Sequence, residues 1–368
     1  MTSRRLLILV IAAILAIGAG VWLAGRQSST GSTAGTDALY PGLKEQLNSV
    51  SAVNIYKSGD TRVVELKKQG DDWTVSERDN YLADDAKVRK LLVAIADAKL
   101  YEQKTANPEA YAMLGVEDTK GKAATSLRIE LVGAPKPVNL IVGKQGVGAR
   151  SSYVRRAGEP QSWLINTSID TSSTPDSWLR KDIIDVSADR MQSATVETKG
   201  AKPYTAAKAT RADSNFAVEG LPKGKSLSVP TAANSVAMAL TSLSLSDVRA
   251  ASGFQSTPPA AHATFKTFDG LIVDVDGWTQ DNKHYVALRP SFDAAQAERF
   301  KVATAPAEEK KPDEKKGESA TAEPPKPAAP NVAEDVKKAA GKVSGWVYEI
   351  PDYKYEALFK PADQLVAK

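Results

Sequence analysis

Ser51-Ala52-Val53-Asn54-Ile55 and, further on, Asp72-Trp73-Thr74-Val75 decide the fold, because both stretches have counterparts later in the chain. Ser193-Ala194-Thr195-Val196-Glu197 answers the first and Asn215-Phe216-Ala217-Val218 the second. Pairing Val53 with Val196 and Trp73 with Phe216 gives one offset, 143 residues, both times. The sequence therefore describes one module twice.

Working outward, the next element keeps the correspondence. Val88, Leu91, Leu92 and Ile95 recur at i, i+3, i+4 and i+7, the spacing of an amphipathic helix, with Asp84 and Asp85 where a cap and first turn favour acids. Val236, Leu240 and Leu243 repeat the pattern, with Pro230 near the start, where proline is tolerated. Strands follow. Leu127, Ile129 and Leu131 alternate with polar residues, as do Leu271, Val273 and Val275, which predicts half-buried strands. Asp269-Gly270 is a hairpin signal in the second module where the first has the longer segment 133–137. Tyr153-Val154-Arg155 then matches Tyr285-Val286-Ala287, and Ser162-Trp163-Leu164-Ile165 matches Gly345-Trp346-Val347-Tyr348. These elements predict an α+β fold. Two tandem repeats of mainly antiparallel β-sheet, each with one principal packed helix, occupy residues 46–184 and 185–368.

The last two strands lie close together in the first module but far apart in the second, so the second has an insertion in a hairpin loop. Residues 303–342 hold no aromatic, eight Lys and eight acids. A segment rich in Ala, Pro and Glu buries too little apolar surface to offset its ordering entropy, which predicts disorder. Val332 and Val336 fit at most a short, marginal helix there.

The amino terminus carries a different signal. Arg4 and Arg5 precede an uncharged apolar run, 6–25, with Trp22 near its outer end. At about 1.5 Å per residue it is roughly 30 Å long, enough to span a bilayer. A cleaved signal peptide competes with a retained anchor. The small-residue site Ala16-Ile17-Gly18 lies inside the run, and the length argues for the anchor, residues 1–25. Arg4, Arg5 and the terminal amine outweigh Arg26, which places the amino terminus in the cytoplasm and the bulk of the chain outside. Residues 26–45 then form a tether, its first part rich in Gly, Ser and Thr. The expected location is the bacterial cytoplasmic membrane, single-pass.

Composition excludes several classes of function. Without Arg4, Arg5 and Arg26 the 48 basic residues fall to 45 against 44 acidic ones, and no basic stripe with interleaved aromatics marks a nucleic-acid binder. The chain has no cysteine, so neither disulfides nor thiol chemistry is available to it. His262 and His284 are its two histidines, without metal-ligand spacing, and no metal or cofactor is expected. Gly143-Lys144-Gln145-Gly146-Val147-Gly148 lacks the Ser or Thr and the following helix of a phosphate-binding loop and reads as a hairpin turn. Asp274 and Asp276 alternate on a strand's solvent face and supply too few oxygens for calcium. Among Trp73, Trp163, Trp178, Trp278 and Trp346, repeat-equivalent or strand positions favour core packing for three; Trp178 and Trp278 are the least explained. No residue is assigned a catalytic, cofactor or metal role.

The order of motifs resembles the bacterial DUF4340 family. It is carried by a strand at Asp71-Asp72-Trp73, the Val88–Ile95 helix, Met113-Leu114-Gly115-Val116-Glu117-Asp118, Val142-Gly143-Lys144, Tyr153-Val154-Arg155 and Trp163-Leu164-Ile165. It covers residues 50–185 well and the second module more loosely, where Ser252-Gly253-Phe254 stands near the place of the Leu-Gly-Val segment. The resemblance implies a membrane-anchored extracytoplasmic component, associated with ABC-type transport systems or gliding-motility-like auxiliary proteins, and brings no catalytic residues. Two expectations follow. The first is a non-enzymatic accessory or scaffold protein with an envelope protein partner; the alternative is an envelope glycan-binding module or a carboxylate-based glycan hydrolase.

Overall fold

Among the described residues of the computed structural model every strand pairing is antiparallel, and the fold is α+β: mainly antiparallel sheets with a few helices. The structure describes residues 37–300 and 332–367, except 149, 222, 255 and 256. The expected anchor, most of the tether and residues 303–331 of the insert lie outside the described residues. Among the described residues no helix is long and apolar enough to cross a membrane. The chain divides into two units, with the break between Trp178 and Leu179.

Unit 1 comprises β1 (Ala52–Lys57), β2 (Thr61–Gln69), β3 (Asp72–Val75), β4 (Tyr81–Leu82), α1 (Asp85–Ala96), β5 (Leu100–Gln103) and the single turn α2 (Tyr111–Leu114). It continues with β6 (Leu127–Val132), β7 (Val138–Gln145), β8 (Ser152–Arg156) and β9 (Ser162–Ile165). Its nine strands form one sheet in the order β4-β3-β2-β1-β6-β7-β8-β9-β5. Helix α1 forms where the spacing predicts it. Asp84 caps it by accepting from the Lys87 N–H at 3.0 Å, and Val88, Leu91, Leu92 and Ile95 are buried.

Unit 2 comprises β10 (Asp182–Ile184), β11 (Met191–Thr198), β12 (Tyr204–Ala207), β13 (Ala217–Glu219), α3 (Asn234–Ala237), β14 (Leu243–Ser244) and β15 (Asp247–Ala250). After these come β16 (Ala261–Thr267), β17 (Leu271–Gln280), β18 (Lys283–Phe292), α4 (Ala294–Arg299), α5 (Val332–Val343), β19 (Trp346–Ile350) and α6 (Asp352–Leu358). Eight strands form a sheet ordered β13-β12-β11-β16-β17-β18-β19-β15. Apart from β4, this is the order of unit 1 strand for strand. The unit begins earlier than residue 185, because β10 pairs with β14.

Two expectations about unit 2 are corrected. The helix expected around Val236, Leu240 and Leu243 is only the four residues of α3, and Leu243 lies on β14. No side chain caps α3 at Ala233, Thr241 donates its hydroxyl to the Val186 carbonyl at 2.9 Å, and Ser242 takes a positive φ of 48°. Without a cap and with Ser and Thr engaged elsewhere, the burial of Val236 and Leu240 does not sustain a long helix. The second correction concerns the insert: the short helix read around Val332 and Val336 is present as α5, but it has twelve residues and packs on β18 with Val336 and Val343 buried, so this part is not disordered. Val332, Val336 and Val343 give that stretch an apolar stripe that its composition conceals.

Candidate functional site

In unit 1 three of the motifs that carry the family resemblance, Met113–Asp118, Val142-Gly143-Lys144 and Tyr153-Val154-Arg155, meet at one place. Asn107 accepts from the Glu109 N–H at 3.1 Å and starts a turn that leads into α2, which stops at Gly115 with φ +68°. A left-handed C-cap of this kind is inexpensive only for glycine. The loop then lies against β7 and β8, where Tyr111, Val116 and Ile141 bury one another. Gly143 makes this approach possible. A Cβ there would sit 2.3 Å from the Leu114 carbonyl oxygen and 2.7 Å from that of Gly115. Beside it, Lys144 Nζ donates to the Met113 carbonyl at 3.1 Å, satisfying an acceptor that the helix end leaves open.

Arg155 on β8 completes the arrangement. Its side chain is 3% exposed; Nε donates to the Val116 carbonyl at 2.9 Å and Nη1 to the Glu159 carbonyl at 3.0 Å. Nη2 lies 3.1 Å from Asp118 Oδ2, and the guanidinium stacks over Tyr111 at 4.5 Å. Tyr111 in turn donates its hydroxyl to the Pro160 carbonyl at 2.6 Å. The hairpin turn expected over Gly143–Gly148 is formed by the later part of that stretch, with Gly148 at φ +103°, while Gly143-Lys144 lies within β7.

Unit 2 holds a polar cluster across β16, β17 and β18. The hairpin register places His262 opposite Asp276 and Thr264 opposite Asp274. His262 Nδ1 lies 2.8 Å from Asp276 Oδ1, Arg289 donates to the other Asp276 oxygen, and Thr264 donates to Asp274 at 2.6 Å. Burial alone would raise the Asp276 pKa; the hydrogen bonds from Arg289 and His262 outweigh it and hold the carboxyl below its ordinary value. His262 Nε2 stands 3.3 Å from the Thr264 hydroxyl and 3.7 Å from Asp274. The outline resembles a nucleophile, base and acid in series, but the Thr264 proton is committed to Asp274. The sequence left these residues as separate strand positions, although the Asp269-Gly270 signal, once used to set the register, brings them together. The other histidine, His284, stacks on Tyr355 at 4.2 Å. Among the described residues no group of three or more His, Asp or Glu could hold a metal ion.

A family model described as Domain of unknown function (DUF4340) matches residues 73–264. The chain belongs to this family. No curated protein and no solved structure matches it. The DUF4340 match opens at Trp73, includes the whole loop anchorage around Gly143 and Arg155, and ends at Thr264 in the polar cluster. Within this DUF4340 chain, then, Gly115, Gly143 and Arg155 have a structural use.

The tryptophans have packing roles too. Trp73 and Trp278 are 8% exposed and Trp178 is fully buried. Trp178 donates its indole N–H to the Ser172 carbonyl at 3.1 Å, and Trp278 donates to that of Thr257 at 2.8 Å. Trp278 is part of a cluster with Phe254, Tyr285 and Val347, in which Phe254 meets Trp278 edge-on at 5.5 Å. Neither Trp178 nor Trp278 offers an open ring face for stacking on a sugar.

Proposed function

We propose that this DUF4340 protein is a membrane-anchored extracytoplasmic accessory or scaffold protein whose partner is another envelope protein, such as a subunit of an ABC-type transport complex. The observation that carries the reading is how the motif residues are used: Gly143, Lys144 and Arg155 fasten a loop to the sheet of unit 1. A protein selected for contact needs rigid sheets, and these residues supply rigidity. The apolar run 6–25 behind Arg4 and Arg5 supports a single span with the amino terminus in the cytoplasm. The burial of Trp178 and Trp278 takes away the aromatic support for a glycan-binding alternative.

The matched strand orders support descent of the two units from one duplicated module. Under that reading, strand order pairs β6 with β16 and β7 with β17. Leu127, Ile129 and Leu131 then correspond to β16, and Leu271, Val273 and Val275 to β7.

Crosslinking in intact cells followed by mass spectrometry tests the proposal. Recovery of a specific envelope protein is expected; recovery of none overturns it. A periplasm-dependent reporter fused after residue 45 tests the topology, and an inactive fusion would overturn it.

A further inference from the structure

Helix α1 turns Leu92 inward and leaves Val93 40% exposed, with Arg89 and Lys90 one turn before it also in solvent. Beside it a groove of about 360 Å³ lies between α1 and the β2–β3 hairpin, and through Asp85, Arg89 and Val93 it continues into a shallow, open hollow along α1 itself, lined also by Lys90. Trp73, Leu92 and Val93 give the groove an apolar floor, and Lys68 from β2 joins Arg89 and Lys90 on its rim. Among the described residues these three cations have no ion-pair partner. Of the acids present, Asp85 is occupied in accepting from the Trp73 N–H at 3.0 Å, and Asp71 stands at the tip of the hairpin.

We propose that this groove docks an acidic segment of the envelope partner, with an apolar side chain on the Trp73–Val93 floor and its flanking carboxylates on Lys68, Arg89 and Lys90. The inference rests on the scaffold reading and names the surface and the partner chemistry. Charge complementarity is the argument. An apolar floor excludes water when covered, which strengthens rim ion pairs, and three cations without an ion-pair partner outnumber the carboxylates Asp71 and Asp85, which favours an anionic occupant. Exposed cations of this kind steer association and fix register more than they add affinity.

The test places the photocrosslinker p-benzoylphenylalanine at Val93 and, separately, at Tyr101, an exposed residue of edge strand β5, in the full-length chain in intact cells. The Val93 adduct is expected to be a peptide of an envelope protein in which an apolar residue is flanked by Asp or Glu. Its yield should fall about tenfold on Arg89→Glu with Lys90→Glu. Both residues are exposed, so an unchanged melting temperature is expected to accompany the loss. If the reversed pair melts lower, Arg89→Gln with Lys90→Gln replaces it. A Val93 adduct without that pattern, an adduct to lipid, or a yield indifferent to charge overturns the groove proposal. So does silence at Val93 while Tyr101 captures an envelope protein, an outcome that leaves the scaffold reading standing. Silence at both positions overturns the two together.

Discussion

The sheets of units 1 and 2 share one strand order but cover the same pair of strands by different means. In unit 1 the segment after β5 is fixed on β7–β8, beside the Tyr111–Val116–Ile141 packing, by a polar clasp: Arg155 on the Val116 carbonyl, Lys144 on that of Met113, and backbone set against Gly143. In unit 2 the segment after β15 contributes Phe254, wedged between Trp278 and Tyr285 at 5.5 and 5.3 Å, with Ala287 beside them. A polar clasp demands particular residues at particular places, because each buried donor and acceptor must find its partner. An aromatic wedge demands area and tolerates drift. This difference explains why the Leu-Gly-Val and Arg motifs are readable in the first unit and fade in the second.

The clasp and the wedge predict the largest effects. Arg155→Ala would strand the Val116 and Glu159 carbonyls and leave a hole under Tyr111. It should destabilise unit 1 by about 3 kcal/mol, from the unpaired carbonyls and the lost packing, since Asp118 is 60% exposed and is not left as a buried charge. Arg155→Lys keeps the charge but loses the fork and should cost about 2 kcal/mol. Chemical denaturation checks both. A loss below about 1 kcal/mol for Arg155→Ala, within the range of ordinary surface changes, would mean that apolar contacts alone hold the loop.

The wedge should respond to loss of area. Phe254→Ala in unit 2 is expected to cost about 3 kcal/mol, the lower end for a buried phenylalanine, since its edge remains 8% exposed. Phe254→Leu should recover more than half of that in the same measurement. If Phe254→Leu proved as damaging as Phe254→Ala, ring geometry and not buried area would be the source of the stability.

Two glycines separate backbone crowding from side-chain crowding. Gly143→Ala drives a methyl into two carbonyl oxygens that cannot move without unseating the loop, with an expected cost of about 3 kcal/mol. Gly277→Ala meets the rings of Phe359 and Tyr355, at 2.5 and 3.0 Å, which can tilt away, and about 1 kcal/mol is expected. Differential scanning calorimetry ranks them. The reverse order would show that α6 is the less forgiving neighbour.

Much of the fold was legible because it rests on local patterns: the α1 spacing with its Asp84 cap, the alternating strands, and the glycine turns. The site was less so. Gly115, Gly143 and Arg155 are each readable as punctuation, yet their meeting depends on a long-range chain reversal that no local period encodes. The helix expected at Val236–Leu243 has an apolar spacing without the cap and propensity to use it, whereas the short helix read at Val332 and Val336 gains its length from packing on β18, which no local pattern encodes. The register of the Asp269-Gly270 hairpin sets His262 opposite Asp276, a pairing that strand alternation alone does not encode.

The smallest effect concerns the acid limb of stability. Asp276 is held below its ordinary pKa in the folded chain, because its bonds to Arg289 and His262 outweigh the burial that opposes them. A carboxyl with a depressed folded pKa adds stability that is complete above its unfolded value, near 3.9, and is lost as pH falls through the folded value. Asp276→Asn removes that contribution, so it should destabilise unit 2 by roughly 1 kcal/mol at neutral pH, as befits a half-exposed network. The gap between the two proteins should then close as pH falls below about 4, the unfolded-state value. In unit 1 the matching case is Asp60, lowered first by its hydrogen bond from Arg128, but this carboxylate is 37% exposed and its gap should be narrower. Denaturation midpoints followed from neutral to acid pH decide the matter. A gap for Asp276→Asn that stays constant over that range would show that Asp276 acts through packing and not through its charge.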